Sequence, residues 1–171
     1  MEKKVYPGSL RRLRSNAVLR SLVNPLRLSH QSFILPVFVE ENLERPRPIQ
    51  NMESVSVQTS VSIIPRMQQA ISNGINKFLL FPVPSVKKDI PDDFSFASNI
   101  ITKIKAHFGD SIWLAADICL CSYTTHGHCG IMNQERTEVL NQQSVEILSK
   151  YAVLLAQAGA DCLAPSDMMD S

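Results

Sequence analysis

The side chains best suited to chemistry fall within one fourteen-residue stretch, Asp117-Ile-Cys-Leu-Cys-Ser-Tyr-Thr-Thr-His-Gly-His-Cys-Gly130. Cys119 and Cys121 stand at i and i+2, and Cys129 follows after seven intervening residues. Taken as the end of a strand, alternation puts Asp117, Cys119 and Cys121 on one face. Leu114, Ala116, Ile118 and Leu120 then share the other, where they can pack on helices. A glycine-containing loop returns His126, His128 and Cys129 to the same end. Three thiols so placed can surround one tetrahedral ion, and soft thiolates select zinc. A closed structural site needs Cys162 or a histidine as fourth ligand. Otherwise the fourth position is open to water or substrate, as in catalytic zinc sites. Three thiolates leave Zn²⁺ with a formal charge of about −1, suited to orienting a substrate amine or carbonyl as much as to generating hydroxide.

The same residues have plainer readings. Cysteines are common in cores, and Cys162, in an apolar run, fits packing better than ligation. His126 and His128 flank a glycine, where a loop-bracing hydrogen bond is a readier role than metal binding. Asp117 can anchor the loop. The segment Ala164-Pro-Ser-Asp-Met-Met-Asp170 ends another apolar run with polar groups. Ser166 shares parity with Cys162 and Ala164 while Asp167 faces the other way, and both suit a helix cap as well as a site.

Four short apolar runs must carry these groups, at 34–39, 77–83, 112–120 and 161–165. Their β-length and near-continuous apolarity predict parallel strands covered by helices on at least one face. Helices are expected over about 64–72, 96–108 and 136–158, with Gly74 and Gly159 at their stops. Such alternation specifies βα units, whose sites lie at the C-terminal ends of the strands. Four strands followed by the chain end match half of a (β/α)8 TIM barrel, typically about 250 residues when whole. A small open α/β sheet is the competing architecture. Residues 1–30 are set apart as an arm before the 31–171 barrel half: Lys3, Lys4, Arg11, Arg12, Arg14, Arg20 and Arg27 face Glu2 alone. That segment suits an extension packing on another subunit, a transit peptide or a nucleic-acid arm.

The 171 residues, 44% of them hydrophobic, provide for one domain with a real core and exclude a disordered chain. With 17 basic against 16 acidic side chains, bulk electrostatic binding of nucleic acid is disfavoured. No apolar run reaches the roughly 18 residues that span a bilayer. The N-terminus shows no apolar secretory region, so reduced thiols and a cytoplasmic location are expected, with metal binding favoured over disulfides.

The Asp117–Gly130 stretch is accompanied by Ala158-Gly-Ala-Asp-Cys-Leu-Ala-Pro-Ser-Asp-Met-Met-Asp170, Arg11-Arg-Leu-Arg14 and Leu35-Pro-Val-Phe-Val39. Together they resemble the zinc-dependent branch of the porphobilinogen synthase (δ-aminolevulinic acid dehydratase) family, over essentially the whole chain. The resemblance implies a (β/α)8 barrel whose N-terminal arm embraces a neighbouring subunit, usually in homo-octamers. It implies a lyase that condenses two 5-aminolevulinate molecules to porphobilinogen with loss of two waters, in tetrapyrrole (haem) biosynthesis. By position, Cys119, Cys121 and Cys129 match the catalytic zinc ligands, Asp117 and Ser166 match substrate-pocket residues, and His128 matches a histidine linked in some members to a second zinc. The family's two Schiff-base lysines, its later substrate-carboxylate positions and its magnesium positions lie on strands beyond Ser171. None of the lysines present is a credible nucleophile, so the chain is expected to be an N-terminal half without turnover of its own. The loop at 89–96 also departs from the family pattern. The alternative function is a non-catalytic zinc-binding or regulatory protein derived from the enzyme, joining full-length subunits through its arm.

Overall fold

The computed structural model describes residues 11–170. Alternation of buried and half-exposed positions organises the strands. In β4 (Lys77–Val83), Phe78, Leu80 and Pro82 are buried and the residues between them are half-exposed. Its neighbours β1 (Leu35–Glu40) and β5 (Trp113–Ile118) bury Val37, Val39, Leu114, Ala116 and Ile118 on the same side. β6 (Cys162–Pro165) completes a parallel run in chain order, β1-β4-β5-β6. These are four of the βα strands expected for the start of a (β/α)8 barrel. The opposite, half-exposed face carries Phe38 stacked on Phe81 at 4.9 Å, with Leu79, Ala115 and Asp117 along it.

Three amphipathic helices cover the buried side. α2 (Ile63–Ser72) buries Ile63, Met67 and Ala70; α3 (Ser95–Phe108) buries Phe96, Ala97, Ile100, Ile101 and Ile104. α4 (Asn141–Gln157) buries Ser144, Leu148, Tyr151 and Leu155, an i, i+4, i+7, i+11 stripe. Pro65 is tolerated because it lies in the first turn of α2, where backbone N–H groups have no helical partner. α2 and α4 give way to Gly74 and Gly159, whose φ of 84° and 104° only glycine adopts without cost. Both stops were legible in the sequence.

Two expectations need correction. The last helix begins at Asn141, not 136, because 131–140 is a loop closed by a Met132–Val139 bridge. Two short strands were also missed: β2 (Arg47–Pro48) pairs antiparallel with β3 (Ser56–Gln58), and β3 runs parallel along the end of β1. Strands of two and three residues carry no readable periodicity.

Before β1, residues 11–34 form two 3₁₀ turns and α1 (Ala17–Val23), with no buried residue in any of them. Leu13, Val18, Leu22, Leu26 and Leu28 are exposed there. No helix among the described residues is long and apolar enough to cross a membrane.

One ion pair ties the sheet to the helical layer. Asp161, just before β6, accepts from Lys105 Nζ of α3 at 3.0 Å through both oxygens and from the Leu114 N–H at 2.8 Å. Both side chains are less than one third exposed. Asp161→Ala leaves a strand N–H and an ammonium unpaired, so a loss of about 2 kcal/mol is expected. A denaturant midpoint shift with unchanged slope checks it.

Candidate metal centre

All the parallel strands point their C-terminal ends the same way, so the residues that follow β1, β4, β5 and β6 gather at one end of the sheet. β5 stops at Ile118, one residue short of the first cysteine. Strand parity therefore does not place the thiols, contrary to the sequence reading. A turn does: the N–H groups of Tyr123 and Thr124 both donate to Leu120 O at 2.9 Å, and Cys121 N–H points at Cys119 Sγ at 3.5 Å. The loop then returns Cys129 to the same end, where Cys119 raises the Cys121 and Cys129 thiols alike. The three cysteines singled out in the sequence are thus brought together. Cys162 is not among them; it sits beside Ala115 in the sheet register, with its thiol directed at Leu163 O.

Burial, then contact with Cys119, pushes the Cys121 thiol up to about 12 and the Cys129 thiol upward as well. Adjacent thiolates repel, and partial burial removes the water that would screen them. Among the described residues no set of three or more His, Cys, Asp or Glu side chains stands as a ready-made metal cage. The raised Cys121 and Cys129 are thiols at neutral pH. A soft divalent cation is the group whose charge would reverse that penalty, so the donor chemistry fits zinc.

Asp117 and Ser166 also meet: Ser166 Oγ donates to Asp117 Oδ1 at 2.6 Å across the β5–β6 pair. Burial raises the Asp117 carboxyl above its ordinary range, the Ser166 hydrogen bond opposes this, and the nearby Asp167 charge adds to it. Asp167 does not face away as strand parity suggested. The chain leaves β6 at Pro165, and the Asp167 carboxylate comes near both Asp117 and Cys129 while accepting from the Met169 N–H. The two histidines brace the loop. His126 Nδ1 accepts from the His128 N–H at 3.1 Å, and His128 Nδ1 accepts from the Gly130 N–H at 3.0 Å.

Several supporting residues escaped sequence reasoning. Ser144 Oγ accepts from the Ile131 N–H and donates to Leu140 O, both at 2.8 Å, fixing the chain just past Cys129. A polar residue in the apolar stripe of α4 was the available signal. Tyr123 and Tyr151 hydrogen-bond at 3.2 Å beside Phe94, and burial drives both phenols upward. A separate cavity of about 180 Å³ opens nearby, lined by Glu41, Ser85, Lys88, Asp93 and Tyr123, but no cysteine.

The described lysines serve other ends. Lys77, at the N-terminal end of β4, donates to Gln31 O; Lys88 pairs with Asp92, Lys105 with Asp161, and Lys103 reaches Ser60 O. Lys87 and Lys150 are exposed.

The parallel sheet backed by helices, with thiols and a half-buried carboxyl hydrogen-bonded to a hydroxyl at its strand ends, is the front of an α/β barrel. Comparison narrows the class. The family model for delta-aminolevulinic acid dehydratase matches residues 8–171, and the chain belongs to that family. It is 36% identical over 165 residues to the dehydratase of Archaeoglobus fulgidus and 37% identical over 170 residues to that of Bacillus subtilis, covering 94% of this chain and 50% of each relative. It also superposes, with a TM-score of 0.86 and 32% identity, on 48% of a crystal structure of the enzyme (porphobilinogen synthase) from Toxoplasma gondii in complex with its reaction product porphobilinogen, covering 97% of this chain. The chain spans about half the length of the relatives it matches.

Gly130, next to Cys129, has no room to grow. A Cβ there would lie 2.8 Å from Val139 Cγ1 and 2.9 Å from Met169 Sδ and Cε. Met169 can swing aside, but the branched Val139 cannot. Gly130→Ala is expected to cost about 1 kcal/mol, visible as a lowered melting temperature that Val139→Ala in the same chain partly restores.

Proposed function

We propose that this chain is the zinc-binding half of a porphobilinogen synthase, contributing one side of the pocket in which two 5-aminolevulinate molecules condense with loss of two waters. The observation that carries it is the gathering of Cys119, Cys121 and Cys129, whose thiols raise one another, at the strand ends that also carry the Asp117–Ser166 hydrogen bond. In this reading Cys119, Cys121 and Cys129 hold Zn²⁺, which when bound supplies Lewis-acid polarisation of a substrate amine or carbonyl. Asp117 and Ser166 offer substrate a hydrogen-bonding carboxyl and hydroxyl, and the desolvation that raises Asp117 favours its neutral, proton-donating form. His128, whose Nδ1 is engaged by Gly130, has only Nε2 to offer a second ion. The exposed leucines of residues 11–34 support packing of this arm on a second copy of the chain in a homo-oligomer. A cytoplasmic setting suits free thiols.

The Schiff-base nucleophile of the family must be a neutral amine in a desolvated site. The described lysines are ion-paired, bound to carbonyl oxygens or exposed. The 171-residue chain by itself is therefore expected to form no porphobilinogen, and a colorimetric product assay giving measurable turnover would refute this. It is expected to take up one zinc per chain, and the triple Cys119→Ser, Cys121→Ser, Cys129→Ser variant none, read by metal analysis after dialysis. Because Cys121 and Cys129 are protonated at neutral pH, zinc must displace their protons. Affinity should rise with pH by at least about two decades per unit between pH 6 and 8, measured by chelator competition; a flat profile would exclude these thiols as ligands.

A further inference from the structure

We propose that Asp89, in the loop following β4, is a positioning residue for the Cys129-bearing loop and hence for the zinc site, an inference that rests on the metal assignment above. Thr125 and Arg136 bracket the segment containing His126, His128 and Cys129. Both reach the same carboxylate: Thr125 Oγ1 donates to Asp89 Oδ1, and Arg136 Nη2 donates to that oxygen at 3.3 Å. One acceptor thus gathers both ends of the segment. A second tie lies just before it, where the Lys88 N–H donates to Tyr123 O at 3.0 Å, and Ser122 Oγ donates to Pro82 O at 3.2 Å. The Thr125 hydrogen bond, with the charges of Arg136 and His126 adding, holds the Asp89 carboxyl below its usual range, so it is ionised at neutral pH.

The bonds inside the loop, from His128 N–H to His126 Nδ1, from Gly130 N–H to His128 Nδ1 and from Thr124 Oγ1 to His128 O, keep its local shape. They do not set where that shape sits relative to Cys119 and Cys121. Ser144 and Met169 hold the far side, past Cys129. Asp89 ties both ends of the segment from a different βα unit, so two successive strand-end loops are joined.

Asp89 and Arg136 are both more than half exposed, and exposed pairs add little to global stability. A positioning role therefore separates from a structural one. Asp89→Ala in the purified chain is expected to leave the melting temperature within about 1 °C while weakening zinc about tenfold, in the range of other outer-shell changes. Asp89→Asn, which keeps an acceptor for Thr125 but loses the charge, should weaken it less. Arg136→Ala should weaken it a few-fold and add nothing on top of Asp89→Ala, since both remove the same tie. Cobalt substitution gives an independent readout, because a displaced Cys129 shifts the thiolate–cobalt absorption. Thr125→Val, which cuts one tether without altering charge, covers the case of an unstable Asp89→Ala chain and should also lower affinity. Parent and Asp89→Ala chains binding zinc equally, or losses that add fully, would overturn the inference alone. A parent chain that takes up no zinc would overturn the metal assignment and this inference with it.

Discussion

Three thiols gathered at one end of a sheet cannot all carry negative charge cheaply without a cation among them. That constraint organises this end of the molecule. In the described structure the conflict is met by protonation, with burial and the neighbouring Cys119 raising the Cys121 and Cys129 thiols. The neighbouring carboxyl is treated alike: Asp117 is half-buried, close to Asp167, and driven toward its neutral form. A fold that gathers acids and thiols at one partly desolvated end of a sheet favours positive charge there.

What allows the gathering is the parallel sheet. Because β1, β4, β5 and β6 run in the same direction, every loop that follows a strand emerges at the same end, and residues far apart in sequence become neighbours. Asp117 and Ser166 are forty-nine positions apart and share a hydrogen bond. The helices bury the other face through Phe78, Leu80, Leu114 and Ile101 and provide the rigid base against which the loops are set. Part of the cost of an irregular loop is met from that base: Ser144 of α4 satisfies the Ile131 N–H, and Tyr151 of α4 satisfies Tyr123.

The four parallel strands and the helix stops at Gly74 and Gly159 were legible in the residues, since each rests on local pattern. The short β2–β3 pair was not, because its pairing depends on the exposed edge of β1 rather than on any periodicity of its own. The true start of α4 was hidden by a loop whose residues tolerate a helix but whose backbone closes a bridge between Met132 and Val139. Strand parity does not place the cysteines, for β5 ends before them and a turn follows.

By itself the sequence determined the βα order and the face each strand buries, because side-chain type and spacing alone decide these. Only the tertiary structure decided which groups touch: that Asp167 turns back toward Cys129, that Cys162 stays apart, and that Asp89 reaches Thr125 and Arg136. Such contacts are set by where loops leave the sheet and how they pack on one another. That is a matter of three-dimensional closure, which no local pattern of residues encodes.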